Sequence, residues 1–134
     1  MSNDIKQQRA SSIVKICNAL STNWSGETSY CDDWSSSNPS SGQCAVSALV
    51  LQDYCGGEIR RCVVAGTPHY FNRIDGQVVD STAAQFGTVA IDYDTSTVRS
   101  RQRILRHVDT RRRYELLKGR VKEAMWVRNR EEIR

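Results

Sequence analysis

One stretch limits the possible folds more than any other. From Gly42 to Gly57 the chain reads GQCAVSALVLQDYCGG. Ala45, Val46, Ala48, Leu49, Val50 and Leu51 would cover nearly every face of a helix. A helix that is apolar all round cannot lie on a surface and must be enclosed by other elements. Gly56-Gly57 supplies its stop. The pattern predicts a central buried helix starting at Gly42 or Gln43 and running to about Tyr54.

The flanking sequence supplies the enclosure. Ile13, Ile16, Cys17 and Leu20 follow the spacing of one helical stripe. Ser21 to Gly42 is rich in Ser, Asn and Gly but carries Trp24, Tyr30 and Trp34, so an ordered loop pinned by these aromatics is expected. Within it, Asn38-Pro39 favours a turn. Strands are expected at Ile59 to Val64, His69 to Ile74, Gln77 to Asp80 and Thr88 to Tyr93, with Gly66-Thr67-Pro68 as a break. Asp75-Gly76 is a preferred two-residue hairpin turn. Two helices close the chain, one over Arg99 to His107 and one capped by Thr110. The second carries the stripe Tyr114, Leu117, Val121, Ala124 and Met125. The expected class is α+β: a central helix packed on a small antiparallel sheet, with helices at both ends.

A length of 134 residues fits one domain spanning 1–134. No apolar run approaches the ~20 residues that cross a bilayer, and the polar start, Met1 to Ala10, lacks the apolar core of a secretory signal. The expectation is a soluble cytoplasmic protein with no membrane partner. Five cysteines, an odd number, argue against a disulfide framework in such a setting. The net charge of +4 is uneven: residues 1–98 carry 6 basic and 10 acidic side chains, and the basic helical segment 99–134 carries 13 and 5.

Cys44 is the cysteine best placed for chemistry. It sits where a helix begins, and the partial positive charge of a helix N-terminus favours the thiolate, the nucleophilic form. Free backbone N–H groups at that end can donate to a developing oxyanion. Cys17 and Cys55 lie late in helices, where the dipole opposes a thiolate, and Cys62 lies in a strand. The second residue is His69, at the start of a hairpin strand; His107, the other histidine, lies among arginines. With Asp75-Gly76 as the turn, Ile74 pairs with Gln77, Phe71 with Asp80 and His69 with Thr82. His69, Phe71, Val78, Asp80 and Thr82 then share one face. That register selects Asp80, not Asp75, as the carboxylate that orients His69.

Helix-start Cys, strand-start His and same-face Asp follow the chain order of papain-like and transglutaminase-like cores. In such a triad Cys44 attacks a carbonyl carbon, His69 carries the proton and Asp80 fixes the imidazole. Gln43 and Asn38 are the candidate side-chain donors to the oxyanion. Peptidase, amidase and glutamine deamidase chemistry are all compatible, with a protein or peptide as substrate. No cofactor is called for, and no phosphate-cradling glycine loop precedes a helix. Cys55, Cys62 and His69 lack the close pairing typical of zinc ligands, so no metal is expected. The alternative is a non-catalytic binding or inhibitor protein. It would engage a nucleic acid or protein partner through Arg99, Arg101, Arg103, Arg106 and Arg111 to Arg113. Nucleic acid is the less expected partner, because no aromatic stacking platform interleaves with these arginines. Trp24, Trp34 and Trp126 are the candidate anchors for a blocked protein partner.

Several motifs in order carry a family resemblance. They are Trp34 with Asn38-Pro39-Ser40, Gly42-Gln43-Cys44, Ala48-Leu49-Val50, Gln52-Asp53-Tyr54 and Gly56-Gly57. Then come His69-Tyr70-Phe71-Asn72, Gly76, Asp80, Thr82, Gln85-Phe86, Asp109-Thr110, Arg113-Tyr114 and Leu117. From Trp34 to Val121 the chain resembles the YunG-like family of small bacterial proteins. The resemblance implies a papain-like or transglutaminase-like core with Cys44, His69 and Asp80 in the motif positions. It implies Asn72 and Gln43 beside them; Trp34, Tyr70 and Phe71 are the candidate binding residues. Phe71, where the family pattern often has Trp, and Ser81, where an aliphatic residue is common, are departures that bear on the shape of a substrate pocket.

Overall fold

The computed structural model describes residues 3–133. Helix α1 spans Asn3–Asn23 and α2 spans Cys44–Cys55. Strands β1 (Glu58–Val64), β2 (Thr67–Ile74) and β3 (Gln77–Val79) follow, then β4 (Thr97–Val98). A single turn of helix, α3 (Arg101–Ile104), leads into the long α4 (Val108–Ile133). The sheet is antiparallel with strand order β3-β2-β1-β4.

The apolar faces of α2 explain its place. Val46, Ala48, Leu49, Val50 and Leu51 are all buried, in one core with Ile16 and Leu20 of α1, Ile59 and Ile74 of the sheet, and Tyr114, Leu117 and Val121 of α4. The helix packs on one face of the sheet, where Asn72 Nδ2 donates to Ala48 O at 2.9 Å. The opposite face has a smaller core of Cys62, Val64 and Phe71, covered by Phe86, Ile91 and Tyr93.

Both hairpin turns are two residues long. Asp75 and Gly76 have φ of 52° and 76°, and Ile74 pairs with Gln77 as the sequence implies. The first turn is Ala65-Gly66, not Gly66-Thr67-Pro68: Thr67 and Pro68 belong to β2 and pair with Val64 and Val63. Proline is tolerated there because β3 reaches only Asn72, leaving the start of β2 at the sheet edge.

Other expectations are corrected. Thr88 to Tyr93 forms no strand; Thr88, Val89, Ala90 and Asp92 are exposed, and Ile91 and Tyr93 instead cap the second core. The helix expected over Arg99 to His107 shrinks to α3, started by Ser100, whose Oγ accepts from Arg103 N at 3.2 Å. Helix α4 begins at Val108, so Thr110 is no N-cap; its Oγ1 accepts from Arg113 Nη2 at 3.1 Å. The loop after α1 is held by two tryptophans: Trp24 Nε1 donates to Ser47 Oγ and Trp34 Nε1 to Pro39 O, both at 2.9 Å. Tyr30 is 76% exposed and lies outside both apolar cores, its ring stacked against the buried Arg113 guanidinium at 5.7 Å. No helix among the described residues is long and apolar enough to cross a membrane.

Candidate active site

The site forms where the start of α2 meets the free edge of β2. Gly42 sets the direction of entry. Its φ is +72°, and a Cβ there would stand 2.3 Å from Ser29 Oγ and 2.8 Å from the backbone nitrogens of Tyr30 and Cys31. Gly42 O accepts from Tyr30 N at 2.9 Å, and Gly42 N donates to Gln85 Oε1 at 3.4 Å. Held from both sides, the chain delivers Cys44 as the first residue of α2, half-buried. Its N–H therefore has no intrahelical acceptor.

His69 is fully buried, on the sheet face away from α2 and opposite Cys62. Phe86 meets the ring edge-on at 4.9 Å between centroids. Asp80 lies just past β3, which ends at Val79. The ladder pairs Phe71 with Asp80 and His69 with Thr82 do not form, because β2 and β3 pair only from Asn72 to Ile74. The contact forms from the loop instead: His69 Nε2 lies 2.7 Å from Asp80 Oδ2, with both side chains nearly inaccessible. Asp80 is fixed in turn by Tyr93 OH, which donates to Oδ2 at 2.9 Å, and by Thr82 N, which donates to Oδ1 at 3.3 Å.

The Cys44 thiol is the other side chain that raises the His69 pKa. Nδ1, the ring nitrogen not bonded to Asp80, is buried and has no hydrogen-bond partner among the described residues. The thiol thus borders the ring without a well-formed hydrogen bond. Burial alone pulls the His69 pKa down, but the Asp80 hydrogen bond and the Cys44 thiol outweigh it and push it up to about 9. Burial, reinforced by the Asp80 hydrogen bond, pushes the Tyr93 hydroxyl well above its usual range.

The supporting residues have other attachments. Gln43 is buried and its Nε2 donates to Ser25 O at 3.0 Å. Asn38 Nδ2 donates to Gln85 O at 3.3 Å, and Asn72 reaches Ala48 O on the α2 side. Phe71 is buried beside His69 in the second core. Tyr70 lines a cavity of about 450 Å³ that opens beside Cys44. Trp34 lies outside that cavity, half-buried in the loop. Tyr93, Phe86 and Gln85 complete the site, and His107 lines the same cavity as Cys44.

Much of the basic segment is engaged internally. Arg101 donates to Gln52 Oε1, Asp53 Oδ1 and Tyr114 OH at 2.8 to 2.9 Å. Arg113 is buried and bonded to Asp109, Thr110 and Thr28 O, and Arg112 pairs with Asp109. Arg120 reaches back to Asn23 O, Ser25 Oγ and Glu27. The side chains of Arg99, Arg103, Arg106 and Arg111 make no hydrogen bond or ion pair among the described residues. Trp126 is half-exposed under the Arg130 guanidinium.

A family model described as YunG protein matches residues 12–126, most of the chain and all of the site. The chain belongs to the YunG family. Within it, an uncharacterized YunG protein of Bacillus subtilis (strain 168) is 43% identical over 67 residues, which is 50% of this chain and 56% of that protein. The chain therefore matches little more than half the length of this YunG relative. No solved structure matches the fold.

Proposed function

We propose that this YunG protein is a cysteine hydrolase or acyl transferase acting on an amide or ester, with a papain-like or transglutaminase-like division of labour among Cys44, His69 and Asp80. The observation that supports the reading is the buried 2.7 Å contact between His69 and Asp80, with the Cys44 thiol acting on the same ring. A charged imidazolium facing a sulfur at a helix start is an arrangement that supports a nucleophilic thiolate.

In the proposed reaction the Cys44 sulfur attacks the carbonyl carbon. A C–S bond forms and the carbonyl electron pair moves onto oxygen, which the Cys44 N–H is placed to receive. The C–N or C–O bond then breaks, and the His69 proton goes to the leaving atom. Water, or an acceptor amine, then attacks the thioester carbonyl carbon and gives a proton to His69, and the C–S bond breaks with Cys44 leaving as the thiolate. Asp80, locked by Tyr93 and Thr82 N, keeps the ring in one orientation throughout.

Alkylation by iodoacetamide at about pH 6 tests the nucleophile, with the modified cysteine located by peptide mass spectrometry. Cys44 is expected to react about tenfold or more faster than free cysteine. Cys17, Cys55 and Cys62, whose thiols burial pushes up, are expected to lag and serve as internal controls. A Cys44 rate no higher than that of free cysteine would sink the reading.

A further inference from the structure

The cavity beside Cys44 is lined by Arg99, Arg103, His107 and Arg113, with no Asp or Glu among its described lining residues. Of the three lining arginines, Arg113 is neutralised by Asp109. Arg101, Arg112, Arg113 and Arg120 all have carboxylate partners. Arg99 is half-buried and Arg103 exposed, and neither guanidinium makes an ion pair or hydrogen bond among the described residues. A part-enclosed cleft with unneutralised charge of one sign concentrates ligands of the other. Guanidinium groups in particular present a planar fork that matches a carboxylate.

We propose that this cleft selects acyl substrates carrying a carboxylate, held by Arg99 and Arg103 while the carbonyl carbon lies at the Cys44 sulfur. The proposal rests on the thiol-nucleophile reading above and adds the charge class of the substrate to it. The basic segment then has two roles: Arg101, Arg113 and Arg120 tie α2 and the loop after α1 to it, and the unpaired Arg99 and Arg103 line the cleft.

Two reagents that differ in charge separate the claims. Iodoacetate and iodoacetamide both transfer a two-carbon unit to sulfur, forming C–S and releasing iodide, but only the first carries a carboxylate. The readout is the ratio of their rates at Cys44, so any change in the thiol's own reactivity cancels. At low ionic strength the ratio is expected to exceed that of free cysteine by several-fold, and to fall toward it in about 0.5 M salt, where the Debye length is a few ångströms. The His69 imidazolium also attracts an anion, so the arginine share is read from the double variant Arg99→Gln/Arg103→Gln, in which the ratio is expected to drop at least threefold. A wild-type ratio equal to that of free cysteine overturns the proposal. So does a ratio that the double variant leaves unchanged. Slow reaction with iodoacetamide would instead count against the nucleophile, so the two failures are distinct.

Discussion

Asp80→Asn is expected to cost roughly 3 kcal/mol more stability at pH values below 6.5 than above pH 9. The sign follows from His69. Its folded pKa stands at about 9 against an ordinary 6.5, so the folded state binds the proton more tightly than the unfolded chain. That stabilisation is complete below 6.5 and is lost as pH rises through 9. The Asp80 hydrogen bond is the largest contributor raising the pKa, and an amide in its place keeps the shape while removing the charge. Urea unfolding of wild type and variant at a pH below 6.5 and at one above 9 measures the difference directly. Comparing the two proteins cancels the buried thiols, Cys17 among them, whose raised pKa values also weaken the fold at alkaline pH. A gap that stays constant with pH would mean that the buried pair is held by shape alone.

Gly42→Ala is expected to be as severe for a different reason. The backbone there has φ +72°, and the new methyl would meet Ser29 Oγ at 2.3 Å and the Tyr30 and Cys31 nitrogens at 2.8 Å. Two of those atoms are backbone and cannot swing aside, so the loop must separate from the start of α2. A loss of about 3 kcal/mol or more is expected, together with slower alkylation of Cys44, because the same turn aims both the thiol and its N–H. Gly66→Ala is the matched control. Its φ is +80°, but nothing lies within 4 Å of the added Cβ. It should lose only about 1–2 kcal/mol, from the backbone alone, and leave Cys44 reactivity intact. Thermal or urea unfolding of both variants, with the alkylation rate alongside, tests the contrast.

The parts of the fold visible in the sequence are those set by local physics. The run Ala45 to Leu51 has no polar stripe, so it had to be enclosed, and Gly56-Gly57 marks its end. Asp75-Gly76 fixes one hairpin because both residues take positive φ easily. The segment from Asp80 to Ser100 was illegible because its order comes from what it covers. Tyr93 is there to reach Asp80 and cap Phe71, and β4 exists only through its pairing with Arg60 and Arg61. The same limit applied to Asp80. Extending the ladder assigned it a face on β3, whereas the strand stops one residue earlier and a loop brings the carboxylate to His69. The basic segment misled in a similar way. Charge along the sequence cannot reveal that Arg101 is bound to Gln52, Asp53 and Tyr114 or that Arg113 is buried. It also hid His107, which reaches the Cys44 cleft only through the fold.

The central claim is that Cys44, His69 and Asp80 share one proton-binding unit. Following the His69 ring by NMR through a pH titration, in wild type and in Cys44→Ala, tests it most directly. A midpoint near 9 is expected in the wild-type protein and a lower one in the variant, because the thiol contributes to the raised basicity of the ring. A midpoint at or below 6.5, unchanged by removal of the thiol, would contradict it.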